Sequence, residues 1–482
     1  MIAALGLALL LLVGFGIIFT GLPAAFVLIA VACIGAALGV VSDTIPLSLL
    51  DTLPGRLINL LENDLLQALP LYVIMGLLLD RLPVADALYR LCLAVLPRRP
   101  SAPLVSGMAL GALLGPMNGS VGASVLGLSR VVAPRLAAEA VPSPTRAALI
   151  AVASTLGVLV PPSLVLILLG DAMLSAHTIA VTETGRADRV INTQDVFHGA
   201  LIPAGILLLL CLALAWLAGR NQKLAMPKRE PLTRAQAVTA VVALIALIAL
   251  LGGVTTGYFY AVEAAAMGAF TLLIGGLVSG RLPGPVLRVL LRDAIATTGA
   301  LFSLLLAATT LTLVLRLLGT DKLIDASVAA IPGSETVVVA VVLAAIGLCA
   351  FVLDAFEIIF VVVPIAIPPL LIRVADAQWV SVLVMLTLQT SFLLPPFGYA
   401  LMMVRGTLKE KFAFAPFLRA LVPFLLAQWA LLLLVLFIPA LTHVFDNAAD
   451  RSRNPTAPVS DKDINKMLND MIVLPPPPDP PQ

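Results

Sequence analysis

The chain has 482 residues, of which 60% are hydrophobic and 12% charged, with a formal net charge of +2 and a mean hydropathy of +1.08. This composition is too apolar for a soluble globular domain and leaves no room for a soluble catalytic domain. A bilayer span needs about 20 apolar residues, and such runs recur along the chain. The sequence therefore predicts an all-α polytopic membrane protein with no nucleic-acid partner.

The N-terminal part, residues 1–64, is predicted to form scaffold helices. Its first apolar run lacks the basic region and cleavage site of a secretory signal, so we expect a retained span. The acidic residues of 42–64 favour an outside loop or interfacial helices. A third span begins near Leu65, and the short apolar helix at 84–96 is expected at the membrane interface.

Residues 65–170 are predicted as the first half of an internal repeat. Within it, about 102–136 reads as a re-entrant helical hairpin, because small residues and an Asn separate two short apolar arms. A single span with a small-residue packing face is the alternative. The polar tip contains Asn118, Gly119, Ser120 and Ser124. A spanning helix at 146–169 follows, broken by Pro161 and Pro162.

The second half, residues 293–406, has the same order of features. A hairpin is predicted at about 338–371 with Asp354 at its turn, followed by a helix at 379–404 that Pro395 and Pro396 break. The remaining predicted regions are an extramembrane loop at 171–198, scaffold helices at 199–292, a C-terminal span at 407–442 and a flexible Pro-rich tail at 443–482.

Aligning the two Pro-Pro pairs gives an offset of 234 positions, since 395 − 161 = 234, and places Ser120 on Asp354. The basic residues Arg98 and Arg99 precede the first hairpin, whereas the basic segment 405–419 follows the second broken helix. By the positive-inside rule, the two halves then cross the membrane in opposite orientations. Inverted repeats with broken helices are typical of secondary transporters that bind solute near the bilayer midplane.

Asp354 and Glu357 are the most unusual residues, because an ionised carboxylate at bilayer depth costs about 2.5 kcal/mol or more. They are expected to coordinate a cation or to form a hydrogen-bonding scaffold for the hairpin. The alternative is a buried pair satisfied by neighbouring amides and an Arg. Sodium is favoured as the coupling ion because broken helices expose backbone oxygens. Protons are the alternative coupling ion. The sodium candidates are Ser120, Asp354 and Thr390.

Polar residues also precede both breaks, with Ser154 and Thr155 before the first and Gln389, Thr390 and Ser391 before the second. Amides at the first hairpin tip suit a carboxylate solute. The candidate substrate and ion site thus comprises Asn118, Gly119, Ser120, Ser124, Pro161, Pro162, Asp354, Glu357, Gln389, Thr390, Ser391, Pro395, Pro396 and Gly398. No cofactor other than the coupling sodium is expected. The three histidines are isolated in sequence, which argues against a metal site or proton relay.

Specific segments carry a family resemblance that covers nearly the whole chain up to the tail. They are G-P-M-N-G-S-V-G-A-S at 115–124, T-L-G-V-L-V-P-P-S at 155–163, V-E-A-A-A at 262–266, L-D-A-F-E-I at 353–358 and Q-T-S-F-L-L-P-P-F-G at 389–398. The chain resembles the large membrane subunit of tripartite ATP-independent periplasmic (TRAP) transporters. Within that family, D-A-F-E-I and R-V-I-N-T-Q-D-V-F at 189–197 are similar to the mannitol/chloroaromatic or 2-oxo acid branch.

The resemblance implies sodium-driven import of an organic acid across a bacterial inner membrane, without ATP hydrolysis. It also implies a separate small four-helix membrane subunit, a periplasmic solute-binding protein, and an elevator-type movement of the hairpins and broken helices against the scaffold.

Two alternatives remain open from the sequence. The first is a stand-alone ion-coupled carboxylate carrier of similar architecture, which would purify without partners. The second is a membrane-embedded enzyme that uses Asp354 and Glu357 as acid and base, which would turn over substrate in detergent.

Overall fold

A computed structural model describes residues 2–186, 189–221, 232–395, 398–408 and 412–446. Every regular element in these ranges is helical, and nine helices are long and apolar enough to cross a membrane. A further bent pair of helices meets the same criteria when taken together. Helices satisfy all their backbone groups internally, as a bilayer demands. The predicted all-α polytopic class is confirmed.

The N-terminal part begins with α1 (Ile2–Thr20), α2 (Ala24–Val41), α3 (Leu47–Leu50), α4 (Leu53–Leu61), α5 (Ala68–Arg81) and α6 (Val84–Val95). Helices α5 and α6 meet at 65°, with Pro83 at the bend. The helix predicted at 84–96 is present, and one of its faces is buried by neighbouring helices through Val84, Ala85, Ala87, Leu88 and Tyr89.

The first repeat half continues with α7 (Ala102–Leu114), α8 (Val121–Ala138), α9 (Ser143–Leu159) and α10 (Leu164–Thr184). Helices α7 and α8 fold back on each other around a short 3-10 turn, and α9 packs against both. The first predicted hairpin and the break at Pro161 and Pro162 therefore fall where the helices end.

Residues 171–198 do not form the predicted loop. Helix α10 continues to Thr184, and the next helix already begins at Thr193. The piece of α10 beyond the predicted end buries residues at helical spacing, namely Ala172, Met173, Ala176 and Ala180. The prediction failed because it weighed the scattered charges of this segment above the period of its apolar residues. For the same reason, the broken helix predicted at 146–169 extends further in both directions.

The connecting region consists of α11 (Thr193–Asn221), α12 (Arg234–Thr255), α13 (Ala261–Val278), α14 (Gly284–Leu317) and α15 (Thr320–Ala329). Helix α14 has 34 residues and is about 51 Å long, which exceeds the hydrocarbon core of a bilayer by about 20 Å. It packs against α2 and α5. Glu263 caps α13 by accepting a hydrogen bond from the Tyr260 backbone N–H at 2.9 Å.

The second half contains α16 (Glu335–Cys349), α17 (Ala355–Glu357), a π-helical turn (Ile358–Val362), α18 (Val363–Arg373), α19 (Ala377–Ser391) and α20 (Tyr399–Thr407). Helix α21 (Phe414–Phe437) follows, and a 3-10 turn (Pro439–Thr442) comes after it. Pro396 and residues 447–482 of the predicted tail lie outside the described residues.

The helix bounds repeat at the offset derived from the prolines. Helix α8 begins at Val121 and α17 at Ala355, while α9 begins at Ser143 and α19 at Ala377, so 355 − 121 and 377 − 143 both equal 234. Packing crosses between the halves, because α8 contacts α20 and α18 contacts α10. The return arm of each hairpin thus packs on the helix that follows the other half's break.

Candidate transport site

The tip of the first hairpin is fixed by its own side chains. Gly119 has φ +69°, a left-handed conformation that glycine adopts without steric cost. The hydroxyl of Ser120 caps α8 by accepting from the Ala123 backbone N–H at 3.2 Å. The Asn118 amide donates to Ser124 Oγ at 3.1 Å. The four residues predicted at this tip therefore form one compact turn.

This tip packs backbone to backbone against the end of α9. A Cβ atom added to Gly157 would lie 2.1 Å from Gly115 Cα, and one added to Gly111 would lie 2.4 Å from Ala153 O. Only glycine allows so close an approach. The contact brings the hairpin turn beside the first Pro-Pro break.

A small cavity lies between the hairpin tip and the break. Its volume is about 10 Å³ for the centre of a water-sized sphere, which is room for one water molecule or one ion. Four hydroxyl-bearing residues line it: Ser120, Ser124, Ser154 and Ser163. Helices α7 and α9 end near this cavity and α8 and α10 begin there, so it is bordered by helix termini of both polarities.

The break itself is held by Ser163, which follows the buried Pro161 and Pro162. Its hydroxyl donates to Val158 O at 2.6 Å and accepts from the Leu166 backbone N–H at 3.1 Å. One side chain thereby satisfies the last turn of α9 and the first turn of α10. No such role was assigned to Ser163 from the sequence, although its place directly after the prolines marks it as the next helix cap.

The second hairpin places Asp354 at the start of α17, as predicted. Glu357 reaches back, and its Oε2 accepts from the Asp354 backbone N–H at 3.0 Å. Glu357 is buried, and the Oδ1 atom of Asp354 is buried without any hydrogen-bond partner among the described residues. Within those residues neither carboxylate forms an ion pair, so the arginine invoked by the alternative prediction is not found there. A buried acceptor of this kind is what a cation or a donor group would satisfy.

The two halves meet directly at one hydrogen bond. Gln389 Nε2 donates to Thr155 Oγ1 at 2.9 Å, and the two residues are 234 positions apart. They therefore occupy equivalent positions in the two halves, and both side chains are fully buried. Gln389 Oε1 has no partner in the described part of the chain. This pair joins equivalent positions of the two halves and leaves Gln389 Oε1 as a second buried acceptor.

The other predicted residues of the second half make contacts within their own helix or lie in the break. Thr390 and Ser391 hydroxyls donate to carbonyls of their own helix, at 2.8 and 2.7 Å. Pro395 lies in the break, and Gly398 precedes α20. The predicted site residue Pro396 falls outside the described residues.

Tyr399 packs beside the first hairpin tip, although the sequence did not single it out. A Cβ atom added to Gly122, next to the first tip, would lie 2.7 Å from the phenol oxygen of Tyr399. The signal available in the sequence was only its position, directly after the P-P-F-G break.

Comparison with known families gives a match over residues 11–441 to the family described as the tripartite ATP-independent periplasmic transporter, DctM component. The chain is 26% identical over 415 residues to the C4-dicarboxylate TRAP transporter large permease protein DctM of Rhodobacter capsulatus, covering 83% of this chain and 90% of the relative. It is 22% identical over 431 residues to the 2,3-diketo-L-gulonate TRAP transporter large permease protein YiaN of Escherichia coli, covering 88% and 95%.

A third relative is the sialic acid TRAP transporter permease protein SiaT of Haemophilus influenzae, 22% identical over 398 residues, which cover 81% of this chain and 61% of that protein. Because these relatives are permease proteins, the prediction of a transporter subunit is confirmed and the alternative of an acid–base enzyme is wrong.

Solved structures show the same fold. The Alcanivorax borkumensis YdaH transporter has a TM-score of 0.59 at 13% identity, covering 82% of this chain and 88% of that chain. Neisseria gonorrhoeae MtrF has a TM-score of 0.56 at 12% identity, covering 81% and 84%. With a family match over residues 11–441 and a helical transporter fold, the chain belongs to the DctM component of the TRAP transporters and is a multi-pass inner-membrane protein.

Proposed function

We propose that this subunit imports an organic acid, driven by a sodium gradient, with the solute delivered by a periplasmic binding protein. The observation that carries the proposal is the Gln389–Thr155 hydrogen bond between equivalent positions, which leaves Gln389 Oε1 buried without a donor in the described residues. Two broken half-structures that meet on one axis are the arrangement by which secondary transporters hold solute and ion near mid-bilayer.

The solute class is argued from the relatives and from the helix termini. C4-dicarboxylate, 2,3-diketo-L-gulonate and sialic acid appear in the names of three relatives, and all three solutes are carboxylic acids. In this chain α8 and α10 both begin at the cavity between the first tip and the first break. Helix N-termini carry partial positive charge and favour a carboxylate nearby.

Sodium is proposed as the coupling ion because the site offers oxygen atoms and no nitrogen-rich metal cluster among the described residues. Ser120, Asp354 and Thr390 are the side chains we assign to it. The lone pairs of both hydroxyls stay available to a cation, since Thr390 donates its proton to Leu386 O and Ser120 accepts one long bond of 3.2 Å. Hard cations take such hydroxyl, carboxylate and carbonyl oxygens.

The movement is proposed to be of the elevator type. Each hairpin arm packs on the other half's broken helix, so the two hairpins and breaks form one connected body. Helices α2, α5 and α14 pack together beside it and are assigned to the scaffold. With inverted halves, sliding this body past the scaffold would expose the site alternately to the two sides.

The test is uptake of radiolabelled carboxylates into proteoliposomes that contain this subunit and its small membrane subunit. We expect uptake only with an inward sodium gradient and the cognate binding protein present, and no uptake with a proton gradient or ATP alone. Sodium-dependent uptake that needs neither the binding protein nor the small subunit would instead favour the stand-alone carrier. Uptake indifferent to sodium would overturn the proposal.

A further inference from the structure

The return arm of the second hairpin contains three prolines, Pro364, Pro368 and Pro369, the first two of them four residues apart. A proline has no N–H, so in a helix it leaves the carbonyl four residues earlier without its usual donor. Pro369 affects the Ile365 carbonyl, while the pair Pro364 and Pro368 affects the carbonyls of Phe360 and Pro364. A π-helical turn at Ile358–Val362, a feature frequent at functional sites, ends just before the first proline.

Helix α14 supplies donors to both carbonyls. Thr312 Oγ1 lies 3.3 Å from Phe360 O, and the Arg316 guanidinium donates to Pro364 O at 3.3 Å. The donors are four residues apart on α14, as the acceptors are on the return arm. The Thr312 hydroxyl also lies 2.8 Å from Ala308 O, so its one proton is shared between two carbonyls.

The Thr312 end of these paired hydrogen bonds, here called the ladder, is embedded in apolar packing, whereas Arg316 is partly exposed. Val361 and Ile365 of the return arm belong to one buried cluster with Leu311, Val314 and Leu315 of α14. Thr312 itself is 8% exposed. Hydrogen bonds in such dry surroundings fix the register between two helices, because a shift along the axis would leave carbonyls without donors.

The first half has a different interaction, an ion pair, at the equivalent position. Position 130 corresponds to position 364 by the offset of 234, and there Arg130 pairs with Asp80 of α5. Arg130 is 57% exposed, so this ion pair is reached by solvent and is weakly stabilising. The dry ladder is therefore particular to the half that carries Asp354.

We propose that Thr312 and Arg316 are positioning residues, which hold the return arm in the register that presents Asp354 to the coupling cation. Asp354 lies six residues before Phe360, at the start of the same continuous arm. This inference rests on the proposed sodium-coupled function and adds to it the scaffold residues that set the affinity for the ion.

The test compares Thr312→Val and Arg316→Met with Thr312→Ser, Arg316→Lys and a matched control, Thr310→Val. The Thr310 hydroxyl bonds only to Leu306 O of its own helix, at 2.7 Å, among the contacts described. The sodium concentration for half-maximal uptake and the KM for solute at saturating sodium are measured separately, with choline holding ionic strength constant.

Loss of one hydrogen bond should raise the half-saturating sodium concentration about three- to tenfold in Thr312→Val and Arg316→Met. The KM for solute should change less than twofold, and Thr312→Ser and Thr310→Val should match the wild type. A sodium-dependent shift in the thermal midpoint of purified protein gives the same comparison without transport, for variants that express poorly.

Three outcomes would contradict the inference in distinguishable ways. Normal sodium dependence in both donor-less variants would overturn it while leaving the proposed function intact. If the half-saturating sodium concentration and the KM for solute changed in parallel, the ladder would have only a structural role. The same conclusion would follow if Thr310→Val changed the sodium dependence as well. A wild type without sodium dependence would remove the proposed function, and the inference with it.

Discussion

At the scale of residues, the candidate site contains two buried acceptors without donors among the described residues. Asp354 Oδ1 and Gln389 Oε1 are both buried and unpartnered in the described residues. An unsatisfied buried polar atom costs about 1–3 kcal/mol, so an ion or solute that supplied the missing bond would be favoured there. Both atoms are acceptors, which suits a cation or the hydroxyl group of a solute.

The bond between Gln389 and Thr155 can be tested by a double-mutant cycle. Thr155→Val removes the acceptor but keeps the side-chain shape, leaving the Gln389 amide unsatisfied, so the free energy of unfolding should fall by about 1–3 kcal/mol. Adding Gln389→Leu should recover part of that loss, because both polar partners are then gone. Thermal unfolding in detergent gives the measurement, and strictly additive losses would show that the pair is not coupled.

At the scale of elements, the hairpins are positioned by contacts that tolerate little change. The first tip meets α9 through glycines, and the second return arm meets α14 through proline-freed carbonyls. In the first case backbone atoms meet directly, and in the second the side chains of Thr312 and Arg316 donate to backbone carbonyls. In the proposed movement, the contact with α14 joins the moving body to the scaffold and must be released for the hairpin to move.

Gly157→Ala tests the glycine contact. The new methyl group would lie 2.1 Å from Gly115 Cα, a backbone atom that cannot rotate away, so the first tip must shift. Overpacking of this kind costs about 1–3 kcal/mol, and we expect a lower thermal midpoint together with reduced uptake. Gly299→Ala on α14 is the matched control, since nothing lies within 4 Å of its added Cβ. Equal behaviour of the two variants would refute the close contact.

His443 is not isolated, contrary to the expectation from sequence. It follows α21, and its ring nitrogens lie 2.8 Å from Asp376 and 2.7 Å from Asp446. Asp376 also caps α19 by accepting from the Trp379 backbone N–H at 2.9 Å. The histidine thus ties the end of the last long helix to the start of the helix that bears Gln389.

This cluster predicts a pH-dependent stability. The hydrogen bond to Asp376, with help from both carboxylates, raises the pKa of His443 from 6.5 to about 9. Protonated His443 therefore stabilises the fold fully below its unfolded pKa, and the contribution is lost as the pH rises through about 9. The midpoint difference between wild type and His443→Gln should be larger at about pH 6 than at about pH 10. A difference independent of pH would show that the imidazole charge is not involved.

The sequence predicted some elements well for a physical reason. Prolines, glycines and apolar runs are local signals, so the hairpin turn at Asp354 and the break at Pro161 were placed correctly. The loop at 171–198 was wrong because charges on an exposed helix face look like a loop. The Thr155–Gln389 bond and the ladder from α14 join residues far apart in sequence, and no local pattern reveals such partners. No local pattern reveals the contact of His443 with Asp376 either.

At the scale of the whole molecule, the two halves interlock rather than lie side by side. Helix α8 packs on α20 and α18 packs on α10, so each half completes the surroundings of the other's break. The hydrogen bond between Thr155 and Gln389 joins equivalent positions of the two halves. The first half contributes hydroxyls and the second a carboxylate, since Ser120 and Asp354 occupy equivalent positions. The central claim is that this asymmetry localises the coupling ion at the acidic half.

The most direct measurement is sodium-driven solute uptake into proteoliposomes, with the binding protein present, for wild type and Asp354→Asn. Asp321→Asn, a change of an acidic residue on α15, controls for loss of charge alone. We predict that uptake in Asp354→Asn no longer responds to the sodium gradient, whereas Asp321→Asn responds like the wild type. Full sodium-dependent uptake by Asp354→Asn would contradict the account.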